Sequence, residues 1–158
     1  GHGVSIADVN RDGQLDIYAV MGGAYQGDFF QNAFFENPGF DNNYVSFELE
    51  GINSNKKAIG AKVVLTINQN GKQHKIYRTV NTGASFGANS IELEIGLGQA
   101  QNIDMLEVYW PNAKMDKQVF ENLEVNRHYK IIEGSQETKG VEIQKLILNK
   151  SEAAHDHH

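Results

Sequence analysis

"AKVVLTINQNGKQHKIYRTV", Ala61 to Val80, decides the fold class. Ala61, Val63, Leu65 and Ile67 fall on one face of an extended chain, and beyond Asn70-Gly71 the segment resumes with Ile76, Arg78 and Val80 opposite Tyr77 and Thr79. A repeat of two residues is the signature of a strand with one buried face. Asn-Gly takes the positive φ values of a type I′ turn, so the spacing predicts a β-hairpin over residues 61–82.

The same alternation recurs on both sides. "YVSFELE" sets Val45, Phe47 and Leu49 against Ser46, Glu48 and Glu50, and "SIELEIGLG" sets Ile91, Leu93, Ile95 and Leu97 against Glu92 and Glu94. "MLEVYWP" and "HYKIIEG" read as two further strands, the first ended by the Pro111-Asn112 turn. No stretch of ten residues holds a helical period, although "NAFFEN" and "DKQVFENL" have room for short turns. The expectation is an all-β chain, with six to eight strands forming a β-sandwich or barrel-like domain over 43–134. Residues 1–42 form a separate unit rich in glycine and in Phe29, Phe30, Phe34, Phe35 and Phe40. Residues 135–158 form a C-terminal extension in which "VEIQKLIL" could add a strand and the last eight residues are expected to be disordered.

The chain has 158 residues, 40% apolar and 22% charged, enough for one core. Its formal net charge is −6 and the basic residues are scattered, which argues against nucleic acid and anionic membrane as partners. With no cysteine there are no disulfides, thiolate metal sites or cysteine nucleophiles, and the compartment stays open. No apolar run is long enough for a membrane helix. Gly1 to Val4 reads as strand interior, so the expectation is the C-terminal part of a larger protein.

"DVNRDGQLD", Asp8 to Asp16, follows D-x-N-x-D-G-x-x-D. Calcium takes six to eight hard oxygen ligands; Asp8, Asn10, Asp12 and Asp16 supply four side chains, Gln14 would add its carbonyl, and Gly13 permits the sharp turn. An EF-hand is excluded, because its closing position 12 is Ala19 and the flanks are strand-like. The alternative is an Asn/Asp turn without an ion, which would crowd three like charges.

"GVSIADVNRDGQLDIYAV" resembles the FG-GAP/VCBS repeat, the calcium-loop blade of integrin-α-like β-propellers, and "FFQNAFFEN" is similar to the stretch closing such a propeller's last unit. "SNKKAIGAKV", Ser54 to Val63, with "IGLGQAQNIDMLEVYWPNAKM" and "ENLEVNRHYKIIEG", resembles the ASPIC/UnbV domain, as in cartilage acidic protein-like proteins. "TGASFGANS" departs from the serine-rich segment common there. The resemblance implies a partial propeller blade with a calcium loop followed by the β domain. It further implies a secreted or cell-surface protein, outer-membrane associated if bacterial, recognising a protein or glycan ligand without catalysis. Two alternatives stand beside it: a carbohydrate-binding module using Tyr109 and Trp110, and an enzyme or biosynthetic accessory built on Ser85 and His128. Against these, Trp110 reads as a ring capping the core, His74 and His128 read as surface residues, and His155, His157 and His158 form only a weak metal tract.

Overall fold

The computed structural model describes residues 3–23, 25–27, 30–84 and 86–148. Phe29, Ser85 and the histidine tail lie outside them. Among the described residues there is no helix. The strands are β1 (Gly3–Ala7), β2 (Asp16–Val20), β3 (Ala33–Phe35), β4 (Asn43–Glu50), β5 (Lys62–Gln69), β6 (Lys72–Thr79), β7 (Gly83–Ala84), β8 (Gly87–Ala88), β9 (Leu93–Gly98), β10 (Asn102–Tyr109), β11 (Lys117–Glu124), β12 (Arg127–Ile132) and β13 (Thr138–Val141).

The hairpin forms as its sequence dictates. Gln69 pairs with Lys72 around Asn70 at φ 53° and Gly71 at φ 76°, both positive as a type I′ turn requires. It sits at one edge of a four-stranded sheet ordered β11-β10-β5-β6, which faces a second ordered β13-β12-β4-β9. The alternating apolar residues of both sheets meet in one core: Val63, Leu65, Ile67, Leu106 and Val108 from the first, and Val45, Phe47, Ile95 and Ile131 from the second. This is a β-sandwich. Within it β12 runs parallel to β4, while the other pairings are antiparallel.

Two expectations are corrected. "DKQVFENL" and "NAFFEN" are not turns: the first supplies all of β11 but its last residue, and the second contains β3. Adjacent Val119 and Phe120, with Asn122 at φ 56°, break the period of two that a regular strand would show. The added strand is not "VEIQKLIL" but the preceding β13, which pairs with β12; Glu142 to Leu148 leaves the sheet, and the Leu146 N–H donates to the Asn10 carbonyl (2.7 Å).

Gly51, at the exit of β4, approaches the backbone so closely that a Cβ there would overlap the Asn55 carbonyl oxygen. Backbone cannot swing aside as a side chain can. Gly51→Ala is therefore expected to destabilise the sandwich by about 2 kcal/mol, read as a lower urea midpoint with an unchanged slope.

Candidate functional site at the seam between the acidic loop and the sandwich

The N-terminal sheet, ordered β1-β2-β3, carries the 8–16 loop at one end. The loop is organised by its own acids. Asp8 accepts the N–H groups of Asp12 (2.9 Å) and Gly13 (2.8 Å), and Asp12 accepts that of Gln14 (3.0 Å). Asn10 Oδ1 accepts the Asp12 N–H (3.1 Å), and its Nδ2 donates to Asp12 (3.2 Å). Asp16, 1% exposed, accepts the N–H of Val9 (3.1 Å) with one oxygen and that of Asn37 (2.8 Å) with the other. The side chains of Asp8, Asn10, Asp12 and Asp16 are thus drawn into one local network, and Gln14 joins it through its N–H.

The donor set is entirely hard oxygen, which suits calcium and not a thiophilic metal. Each oxygen of Asp8 and Asp16 spends one lone pair on an N–H and keeps another, whereas Asp12 Oδ2 already meets both Asn10 Nδ2 and Lys145 Nζ. Among the described residues, however, no three His, Cys, Asp or Glu side chains converge in a metal-ligating arrangement. A cation already leans on the loop, since Lys145 Nζ lies 3.5 Å from Asp12 Oδ2.

The loop rests on the outer face of the sheet containing β4, β9 and β12. Gly13, at φ 88°, lies where a Cβ would overlap the Tyr44 ring, so glycine serves both the turn and the contact. Asp8 N–H donates to Glu94 Oε1 (3.2 Å). Ser46 Oγ donates to Glu92 Oε1 (2.5 Å), and His128 Nδ1 stands 3.3 Å from the same oxygen. The Tyr44 and His128 rings meet edge to face at 5.8 Å. A cleft of about 190 Å³ opens along this seam, lined by Asp8, Gly13, Tyr44, Ser46, Glu94 and His128.

Negative charge accumulates there. Burial pushes the Glu94 carboxyl up to about 7; the Asp8 N–H opposes this, while the charges of Glu92, Asp8 and Asp16 add to it. Burial likewise raises Tyr44, helped by Asp8 and Asp12.

His128 is not the surface residue its strand position suggested: its side chain is 12% exposed and faces Glu92. Trp110, 1% exposed, is part of the core as its capping reading expected, so it offers no surface for stacking. Tyr44, Glu92 and Glu94 were missed as site residues, because wet-face positions of a strand carry no sign in one sequence that another unit will dock on them.

A two-sheet β-sandwich with an acidic-loop sheet docked on one outer face is the class that fold and site define. Residues 51–138, more than half of the chain, match the family model for ASPIC and UnbV, and the chain belongs to that family. No curated protein matches the chain. A crystal structure from Bacteroides ovatus ATCC 8483, provisionally described as a cell adhesion protein, is similar over 69% of this chain at 12% identity and a TM-score of 0.30. The chain spans 46% of that protein's length. A likeness at that level is too remote to inform the reading of a site. No helix among the described residues is long and apolar enough to cross a membrane.

Proposed function

We propose that this chain is a non-catalytic recognition or adhesion module, secreted or held at the cell surface, in which the N-terminal sheet is the last unit of an FG-GAP/VCBS β-propeller. The observation that carries the reading is the apolar character of both faces of that sheet. By register, Val4, Ile6, Ile17 and Phe35 share one face, while Tyr18, Val20 and Phe34 share the other. All of them are between 37% and 59% exposed. A sheet that is apolar on both sides calls for a neighbour on each, as a propeller blade has.

In this reading the 8–16 loop takes calcium through Asp8, Asn10, Asp12, Asp16 and the Gln14 carbonyl. The ion would supply the positive charge that offsets the acids gathered at the seam, and its binding free energy would add to the stability of the folded state. The loop's own residues do the rest: they set the turn, hold the carboxylates and seat Gly13 on Tyr44.

Calorimetric titration with calcium, together with melting in calcium and in chelator, tests this on the native chain and on Asp12→Ala. At about 100-fold excess over the dissociation constant the gain is about 2.7 kcal/mol, a rise of several degrees in melting temperature, absent in Asp12→Ala. No heat and no shift would make the loop a turn without an ion.

A further inference from the structure

The bases are spread along the chain, but the acids are not. From residue 51 to residue 91 there are six Lys and Arg residues and no Asp or Glu, in a chain whose formal net charge is −6. Three of the six, Lys72, Lys75 and Arg78, stand on β6 together with His74. The acids of the same sheet, Asp104, Glu107, Glu121 and Glu124, lie on β10 and β11, at least two strands away, and Glu107 is already paired with Lys117 (2.9 Å). Among the described residues none of the three β6 cations forms an ion pair.

β6 is also an open edge. Among the described residues no strand pairs with it on the side away from β5, and every one of its residues but Ile76 is exposed. Its pairing with β5 runs from Gln69–Lys72 to Lys62–Thr79 without a bulge. In a two-residue hairpin the pair next to the turn exchanges both backbone bonds, and every second pair after it does the same. Lys72, His74, Ile76 and Arg78 therefore bond to β5, while Gln73, Lys75, Tyr77 and Thr79 turn their N–H and C=O groups away from the sheet. Two of those carbonyls have drawn donors from nearby side chains: Arg78 Nη1 donates to Tyr77 (2.9 Å) and Asn81 Nδ2 donates to Thr79 (2.9 Å).

We infer that β6 takes up an extended acidic peptide as an added strand of this sheet, with carboxylates three residues apart opposite Lys72, Lys75 and Arg78. Main-chain bonds supply the pairing, and opposite charges across the two strands select the partner. Arg78 exchanges a carbonyl for a carboxylate, the stronger acceptor for a guanidinium. Charge on an edge strand keeps it from pairing with its own kind, and a second copy of β6 brings three more cations and no acid. A strand of opposite sign meets no such barrier. Phosphates of a nucleic acid meet the same cations but, being acceptors only, leave the carbonyls of the edge unused. The inference rests on the reading of the chain as a recognition module but not on the calcium loop, which docks on the other sheet.

The test is titration of the native chain, in calcium-free buffer, with a peptide whose core is Glu-Thr-Val-Glu-Thr-Val-Glu and with its counterpart carrying lysine for glutamate. The acidic peptide is expected to bind saturably, to weaken as salt is raised, and to bind at least about tenfold more tightly than the basic one. Hydrogen exchange should slow at the amides of Gln73, Lys75, Tyr77 and Thr79, which face away from β5. N-methylation of the peptide at alternate residues, which removes the donors facing β6, should abolish binding. Lys72→Glu combined with Lys75→Glu should reverse the preference between the two peptides at an unchanged melting temperature, because both side chains are exposed. Equal binding of both peptides, binding of the N-methylated peptide, or binding that leaves those four amides unprotected overturns the inference. So does tighter binding of an oligothymidylate at the same residues, which gives the strip to nucleic acid, or self-association lost in the double variant, which gives it to a second copy of the chain. No binding with the calcium-dependent melting shift intact overturns this inference and leaves the module reading standing; loss of both overturns both.

Discussion

Replacing Glu133 by alanine is expected to destabilise the sandwich by about 4 kcal/mol, measured as a fall in the urea midpoint. Glu133 follows β12 directly and is 7% exposed. One of its oxygens accepts three successive backbone N–H groups, those of Ile52 (2.6 Å), Asn53 (2.7 Å) and Ser54 (2.8 Å); the other accepts Ser54 Oγ (3.0 Å) and Asn112 Nδ2 (2.7 Å). A single carboxylate thus fastens the 52–54 loop and the 111–116 turn to the end of the second sheet. Burial alone would raise its pKa, but the bonds from Ser54, Ile52 and Asn112 outweigh it and hold the group at about 2, against an ordinary 4.5.

The sign of the pH dependence follows. The folded-state value lies below the unfolded one, so the contribution is complete above about pH 5 and is lost as the pH falls towards 2. A shift of that size corresponds to about 3 kcal/mol. Glu50, held low by Lys130 and then Lys56, titrates in the same window. The comparison that isolates Glu133 is therefore Glu133→Gln, which keeps an acceptor and loses the charge. Its stability should fall less steeply than that of the native chain between pH 5 and 2; an identical profile would show that Glu133 is not what acid undoes.

Replacing Asp16 by alanine is expected to cost about 3 kcal/mol within the N-terminal sheet, with or without calcium. Both oxygens accept N–H groups at a residue 1% exposed, so truncation leaves the Val9 and Asn37 donors without partners. Those bonds lock the loop onto the start of β2 and onto the segment after β3. Hydrogen exchange separates this effect from general unfolding: amides of β1, β2 and β3 should exchange faster, while those of β5 and β10 keep their native protection. Equal acceleration in both sheets would mean that the two units unfold together.

The sandwich was legible wherever one face of a strand is wet and the other dry. Val63, Leu65 and Ile67, and likewise Leu93, Ile95 and Leu97, announce strand and buried face together, and Asn70-Gly71 announces the turn. β11 was not legible, because Asn122 inserts a left-handed residue and shifts the alternation. The loop acids stood out because glycine and spaced carboxylates at fixed intervals have few other uses. Their partners across the seam did not. Glu94, Tyr44 and His128 are ordinary outward residues of their own strands and Glu92 stands just before β9, and only the docking of a distant segment gives them a role. Glu133 was silent for the same reason, since a strand-terminal glutamate reads as solvated until the loop that wraps it is known.

The parallel pairing of β4 with β12 bears on how the chain comes to be folded. These strands lie near opposite ends of the domain, and the bond from Tyr44 N–H to Asn126 Oδ1 that helps join them spans 82 positions. β4 is synthesised early but has one of its two neighbours only when β12 arrives. Closure therefore waits for nearly the whole domain, and contacts of such long separation make for slow folding. During that wait the β5–β6 hairpin can form alone, while one edge of β4 stays open to other strands. A chain ending before Arg127 should accumulate in that state and aggregate.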